Sequence, residues 1–450
     1  MRQVDDARRA AYDAVHAVAE GDAYLNLALP ALLRERRLGG RDAAFATELA
    51  YGAVRLRGSY DAVLASCVDR PLTALDPAVL DVLRLGAHQV LSMRIPAHAA
   101  VSTSVDLVRG VVGRRPATLV NAVLRKVATH SLSDWLRLVV PADATPLERL
   151  AVTHSHPQWV VRALHDAVGG DLAATAALLA ADNSAPHVTL AARPGRCDVA
   201  ELLRAGAQLG RWSPYAAVLP AGDPGLVDAV RERRAGVQDE GSQLVAIAMA
   251  DAQLSGSDRR WLDLCAGPGG KAALLGGLAA ERDARLLAVD RSPHRAQLAA
   301  ATLRGSAGTL GTLCADATHA PWRPGSFDRV LADVPCTGLG ALRRRPEARW
   351  RRQPGDVERL QPLQQRLLHA ALDAVRPGGV VVYATCSPLP AETRDVVEAV
   401  VSARGDAVQR DARPLLPAVP SLGDGPHVQL WPHVHDTDAM FFAVLARVPR

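Results

Sequence analysis

Lysine is almost missing from this 450-residue chain: it stands only at positions 126 and 271, and arginine carries the rest of the positive charge. A sequence so poor in lysine keeps it where a compact ammonium on a flexible stem is wanted, or by chance. Lys271 is therefore a site candidate as well as an ordinary first-turn helix residue. No stretch approaches the roughly 18 uncharged apolar residues of a membrane span, so no membrane partner is expected. The first residues, MRQVDDARRA, carry no apolar signal core, and the expected location is the cytoplasm. Six cysteines (67, 197, 265, 314, 336 and 386) form no C-x-x-C pair, which argues against a disulfide framework or a zinc site. His154 with His156 and His433 with His435 could be ligand pairs, but no cysteine or carboxylate cluster supports them; no metal is expected. Low-complexity tracts and internal repeats are also absent.

What is present points to several domains. The length allows about three, 49% of the residues are apolar, and the net charge of +5 permits a nucleic-acid partner without requiring one. Residues 4 to about 130 show apolar residues at helical spacing, over 7–18, 43–56, 77–91, 99–112 and 116–128. Asp76 before Pro77 is an N-cap and first-turn pair. This predicts an all-α domain over 1–135. Its stretch Ala117–Lys126 ends in Arg125 and Lys126, which face either solvent or RNA. Residues 130 to 155, with Pro141 and Pro146, read as a linker. A small α/β module is expected over 155–235, with helices at 159–167, 172–181 and 199–205 and a strand at 187–192. From 236 to 450, strands and helices alternate, with the last strand, 441–448, inserting antiparallel. The expected fold is a seven-stranded, mostly parallel sheet with helices on both faces.

At the head of that sheet stands Asp263-Leu264-Cys265-Ala266-Gly267-Pro268-Gly269-Gly270-Lys271. An apolar run precedes it and an Ala/Leu-rich run follows, which gives a strand, a Gly-rich turn and a helix. Such a turn lies at the carboxyl end of its strand, and its glycines let the backbone pass close to a ligand. Cys265 and Ala272 stand where a P-loop needs Gly and Ser or Thr, and Ala272 also breaks the dinucleotide fingerprint. A Gly-rich turn followed by acids at later strand ends suits S-adenosylmethionine. Those acids are Asp290, Asp316 and Asp333. Asp290 is placed to accept from ribose hydroxyls, and Asp316 could accept from an adenine amino group; turn and cap roles are the alternative.

Two cysteines also end strands, Cys336 and Cys386, whereas Cys265 and Cys314 read as core. A thiol beside a methyl donor suggests chemistry at carbon 5 of a pyrimidine, which is too weak a nucleophile to take a methyl group directly. Thiolate addition at carbon 6 makes carbon 5 reactive; a base then removes the carbon-5 proton and the thiolate leaves. The nucleophile must lie close to positive charge or a proton acceptor, and Asp333 and Lys271 are the neighbours that fit. After Cys336 comes Leu342-Arg343-Arg344-Arg345-Pro346-Glu347-Ala348-Arg349-Trp350-Arg351-Arg352. Arginines interleaved with tryptophan beside the site read as an RNA-contacting loop, through Arg343, Arg344, Arg345, Arg349 and Trp350.

DLCAGPGGK, DVPCTGLGALRRRPEARW and VYATCSPLPAE together resemble the bacterial RNA cytosine-5 methyltransferases, and the likeness extends to VQDEGSQ and HDTDAMFFAVL. The helical first 130 residues, with LVNAVLRK, resemble the antitermination factor NusB. The combination is similar to the subfamily acting on 16S ribosomal RNA. The resemblance implies a Rossmann-like class I methyltransferase domain that uses S-adenosylmethionine. It implies that Cys386 is the nucleophile and that Cys336 assists release of the methylated RNA; spacing alone does not tell the two apart. It also implies a cofactor site of Asp263, Cys265, Ala266, Gly267, Pro268, Gly269, Gly270, Lys271, Asp290, Arg295, Asp316, Ala317 and Asp333. The chain departs from the family pattern at Thr337-Gly338-Leu339-Gly340, at Glu392-Thr393, at Ala315 before Asp316 and at His187–Ala192. The expected partner is 16S ribosomal RNA, and the expected state a monomer. A transfer RNA substrate, or a non-catalytic ribosomal RNA-binding factor with a vestigial methylase half, are the alternatives.

Overall fold

The structure, a computed structural model, describes residues 5–21 and 23–449. They form two compact units. One runs to Ser184 and takes in the distant segment Leu342–Arg351; the other holds Ala185–Ala341 and the chain from Arg352 onward.

The first unit is helical. Its helices include Asp6–Glu20, Leu25–Glu35, Gly40–Arg55, Arg57–Cys67, Pro77–Leu91, Ala97–Val111 and Ala117–Val127. Helix Pro77–Leu91 is buried on nearly all sides, with Val82, Leu83, Leu85 and Ala87 in the core. It starts as the sequence predicts: Asp76 accepts from the Ala78 amide, and Pro77, which has no amide to satisfy, takes the first position. The stretch 130–155 differs from the expected linker. It holds two short helices, Leu132–Val139 and Pro146–Thr153. Ser131 caps the first, and a Thr145/Glu148 capping box starts the second. The prolines mark boundaries: Pro141 follows one helix and Pro146 opens the next. Helices Gln158–Ala167 and Leu172–Asp182 complete this unit.

The stretch read as one α/β module is thus divided, since its strands belong to the second unit. Strands β1 (Val188–Ala192), β2 (Gln208–Leu209), β3 (Ala216–Leu219) and β4 (Ala235–Val237) make an antiparallel sheet in the order β2-β3-β1-β4. The large sheet contains β5 (Arg260–Asp263), β6 (Arg285–Asp290), β7 (Thr309–Cys314), β8 (Phe327–Asp333), β9 (Val375–Thr385), β10 (Ala407–Arg410), β11 (Val428–Gln429) and β12 (Phe441–Arg447). Seven strands run β10-β12-β9-β8-β5-β6-β7, and β11 pairs with β12 as an eighth. From β9 to β7 the neighbours are parallel, and β12 joins β9 antiparallel as expected. The short strands β10 and β11 add to the predicted set. Central strands covered on both faces must be apolar throughout: Val330–Ala332 and Val380–Ala384 are fully buried. The parallel register brings the carboxyl ends of β5, β6, β7, β8 and β9 to one side of the sheet, the side where open α/β sheets bind ligands.

Candidate active site

Strand β5 ends at Asp263, and the Gly-rich turn leads from it into helix Gly270–Glu281. Gly269 has φ +95°, a left-handed backbone that an L side chain rarely adopts, and a Cβ there would lie 3.0 Å from Ala299 Cα. The turn closes against β6 through the Gly267 amide, which donates to Asp290 Oδ2 at 3.0 Å, while Ser292 N donates to Asp290 Oδ1 at 2.8 Å. Asp290 is thus held at its strand end with capacity left on both oxygens. Asp316, after β7, is exposed; Thr318 donates to it from hydroxyl and amide and holds its carboxyl below the usual range. Ala317 beside it is buried, and Arg295, in the first turn of helix Pro293–Leu303, is exposed.

Asp263 is the unusual acid of the group. It is 1% exposed. One oxygen accepts from the Cys265 amide at 3.3 Å; Oδ2 is buried and meets no donor. Burial, then the charge of Asp333, pushes its carboxyl up to about 7, against the opposing pull of Lys271. A buried acid with an unmet acceptor, beside a turn of half-buried backbone, fits a ligand that brings donors and positive charge. Cys265 is half-buried, its thiol pushed up by burial and then by Asp263. Cys314, read as core, is exposed at the sheet edge.

Lys271 Nζ donates to Asp333 Oδ2 at 2.8 Å. Burial opposes the ammonium, yet Asp333 outweighs it and holds Lys271 above the ordinary lysine value, with Cys386 also close enough for its charge to act. Cys336 and Cys386 follow the ends of β8 and β9, which are parallel neighbours, and their sulfurs lie 3.4 Å apart. Both are unbridged. The Cys336 thiol is pushed well up, first by its hydrogen bond with Cys386, then by burial. The fold therefore brings together four residues singled out in the sequence: Lys271, Asp333, Cys336 and Cys386.

The arginine-rich stretch is placed differently from the expected RNA-contacting loop. Leu342–Arg351 packs into the helical unit. Arg349 is 0% exposed, and its guanidinium donates to Asn183 Oδ1 at 2.8 Å, Ser155 O at 3.1 Å and Asp182 O at 3.2 Å. Arg343 is also buried. Both side chains are buried, and the Arg349 guanidinium, already donating to interior oxygens, offers nothing to a phosphate. Trp350 and Arg344 are half-buried, with Arg57 lying over the Trp350 ring. Arg345 is exposed and stacks on Tyr24. Arg125 and Lys126 are exposed at the end of their helix, and Lys126 donates to Ser66 O. Residues that sequence reasoning missed as parts of the site are Thr337, Gln364 and Ser387, which surround the buried carboxylate of Glu392. Among the described residues no His/Cys/Asp/Glu group could hold a metal ion, and no helix is long and apolar enough to cross a membrane.

The chain is similar to known proteins in sequence and in fold. Residues 253–446 match the family model described as 16S rRNA methyltransferase RsmB/F, and residues 5–129 match the NusB family. A Mycobacterium tuberculosis protein that carries the name methyltransferase is 52% identical over 99% of this chain and 98% of its own. The ribosomal RNA small subunit methyltransferase B of Pseudomonas syringae is 32% identical over 98% of this chain and 97% of its own. Among solved structures, PH0851 superposes with a TM-score of 0.81 at 20% identity, covering 98% of each chain. NSun6 from Pyrococcus horikoshii, solved with SFG, gives 0.55 at 16% identity and covers 65% of this chain and 99% of its own. Both structural likenesses concern the fold.

Proposed function

From the premise that the chain belongs to the RsmB/F family of 16S rRNA methyltransferases and carries a NusB-family domain, we propose that it methylates carbon 5 of a cytosine in 16S ribosomal RNA. The methyl donor is S-adenosylmethionine, and the route is a covalent adduct between Cys386 and carbon 6. The observation that carries this reading is the 3.4 Å thiol pair beside the 2.8 Å Lys271–Asp333 ion pair. Methylation of a ring nitrogen or an exocyclic amine uses a lone pair already present and needs neither sulfur. Addition to a ring carbon, followed by elimination, needs one sulfur as nucleophile and leaving group, and a second beside it can assist release.

Asp263, the turn Gly267–Lys271, Asp290 and Asp316 would hold the cofactor, whose amino, ribose and adenine groups bring the donors these acids can accept. When bound, it supplies an electrophilic methyl group on a sulfonium. The chain's own residues do the rest. The likeness to the RNA cytosine-5 methyltransferases assigns the addition to Cys386, whose thiolate the neighbouring Lys271 ammonium favours. The new carbon–sulfur bond at carbon 6 makes carbon 5 nucleophilic, and Asp333 steadies the ring edge as charge develops. After methyl transfer, a base removes the carbon-5 proton, and the carbon 6–sulfur bond breaks to return the thiolate. Cys336, 3.4 Å from the adduct-forming sulfur, is placed to assist release of the methylated RNA. Arg125, Lys126 and Arg345, all exposed, are the proposed phosphate contacts.

Bisulfite sequencing of ribosomal and transfer RNA from cells with and without the gene tests the reading. Loss of one methylcytosine from 16S RNA is expected. Loss from a transfer RNA would overturn the substrate, and no loss in either RNA would overturn the chemistry.

A further inference from the structure

Glu392 lies six residues beyond Cys386, in the short turn Pro390–Glu392, and is 0% exposed. Four donors converge on its carboxylate. Oε1 accepts from the Thr337 amide at 2.8 Å and from Gln364 Nε2 at 3.0 Å; Oε2 accepts from the Thr337 and Ser387 hydroxyls, each at 2.5 Å. Thr337 directly follows Cys336, and Ser387 directly follows Cys386. Gln364 reaches further round the same loop and donates to Pro335 O, the residue before Cys336, at 3.0 Å. The Glu392 carbonyl in turn accepts from the Tyr383 hydroxyl on β9 at 2.7 Å. One carboxylate thus ties the backbone beside each thiol to the other.

Packing alone does not call for such a group. Burying a carboxylate is costly even when it is paired, and apolar side chains of similar volume fill such a space as well or better. Here all four donors come from segments flanking the cysteines or from Gln364, which holds one of those segments. We propose that Glu392 is a positioning residue of the two-thiol centre: it locks the turns after β8 and β9 together, so that Cys336 and Cys386 stay within contact distance. It acts through Thr337 and Ser387, whose hydroxyls donate to its carboxylate. The inference rests on the cysteine-adduct reading above, and its test is chosen to separate the two.

In the full-length protein, diamide should join Cys336 to Cys386: the two thiols give up two protons and two electrons to its nitrogen–nitrogen double bond and form one disulfide, mapped by peptide mass. This readout needs neither RNA nor cofactor. Glu392→Leu leaves buried donors unpaired and should lower the melting transition, and in the folded protein it should lower the cross-linking rate at least about ten-fold. It should also lower kcat for RNA methylation by on the order of a hundred-fold, the scale of a misplaced reacting group, with KM for S-adenosylmethionine within about two-fold. If Glu392→Leu does not fold, the paired change Thr337→Val with Ser387→Ala removes two of the four donors, leaves the carboxylate, and should slow cross-linking several-fold in a folded protein. A folded Glu392→Leu, or a folded double variant, that cross-links at the wild-type rate would overturn the proposal. A wild-type enzyme that cross-links readily but methylates no RNA would instead sink the adduct reading.

Discussion

Replacing Asp263 with Asn should stabilise the protein, and by an amount that depends on pH. The wild-type carboxyl is 1% exposed, has one oxygen without a donor, and is pushed from 3.8 to about 7 by burial and then by Asp333. A carboxyl whose folded value lies above its unfolded one favours the folded state most at low pH, below the unfolded value. That contribution is lost as pH rises through the folded value. The shift of about three units corresponds to at most about 4 kcal/mol, at about 1.4 kcal/mol per unit. Asn carries no charge and escapes the loss. The variant should therefore gain up to about 4 kcal/mol over wild type near pH 8, roughly half of that near pH 5.5, and almost nothing near pH 4. Thermal or urea melts of the methyltransferase unit in both proteins across that range read the difference directly, and groups common to both cancel. A difference that does not vary with pH, or a variant less stable than wild type at pH 8, would refute the reasoning. The same variant should bind S-adenosylmethionine more weakly by calorimetry, so that stability gained at Asp263 is binding lost.

Lys271→Met leaves Asp333 without its 2.8 Å partner; methylation should fall at least about a hundred-fold while RNA binding in a filter assay is unchanged, and an unaltered kcat would remove Lys271 from the centre. Gly340→Ala would put a Cβ 2.2 Å from Ala439 O, and Gly340 N donates to Cys386 O at 2.9 Å. Stability should drop by about 1–3 kcal/mol with a larger loss of activity than of melting temperature, and a silent substitution would contradict this packing. Arg349→Ala strips the donors from the Ser155 and Asp182 carbonyls and from Asn183. Calorimetry should show the helical unit destabilised by about 1–3 kcal/mol. A loss under about 1 kcal/mol would favour the exposed RNA-contacting role for this residue.

What the sequence makes legible here is local. The Gly-rich turn, the acids at strand ends and the two cysteines each sit next to a strand whose apolar run can be read directly, and a parallel sheet brings such ends together by its own rules. The NusB-like helices are legible for the same reason, through spacing and caps. What escapes is fixed by contacts far apart in the chain. Arg349 meets Asn183 across a separation of 166 residues, and nothing near Arg349 distinguishes a buried guanidinium from one bound to RNA; arginine serves both uses. Glu392 shows as an acid close after Cys386, but its role depends on Thr337, 55 residues earlier. The prolines at 141 and 146 mislead because the same residue breaks one helix and opens another.

Which sulfur forms the adduct decides the mechanism. The most direct measurement is a denaturing gel of full-length wild type, Cys336→Ala and Cys386→Ala, each incubated with 16S ribosomal RNA and S-adenosylmethionine. Cys336→Ala should accumulate a slow-migrating protein–RNA band, because carbon–sulfur bond formation proceeds and release does not. Cys386→Ala should give neither band nor methylated RNA. A covalent band from Cys386→Ala, or methylation that survives its loss, would contradict the assignment of Cys386 as the nucleophile.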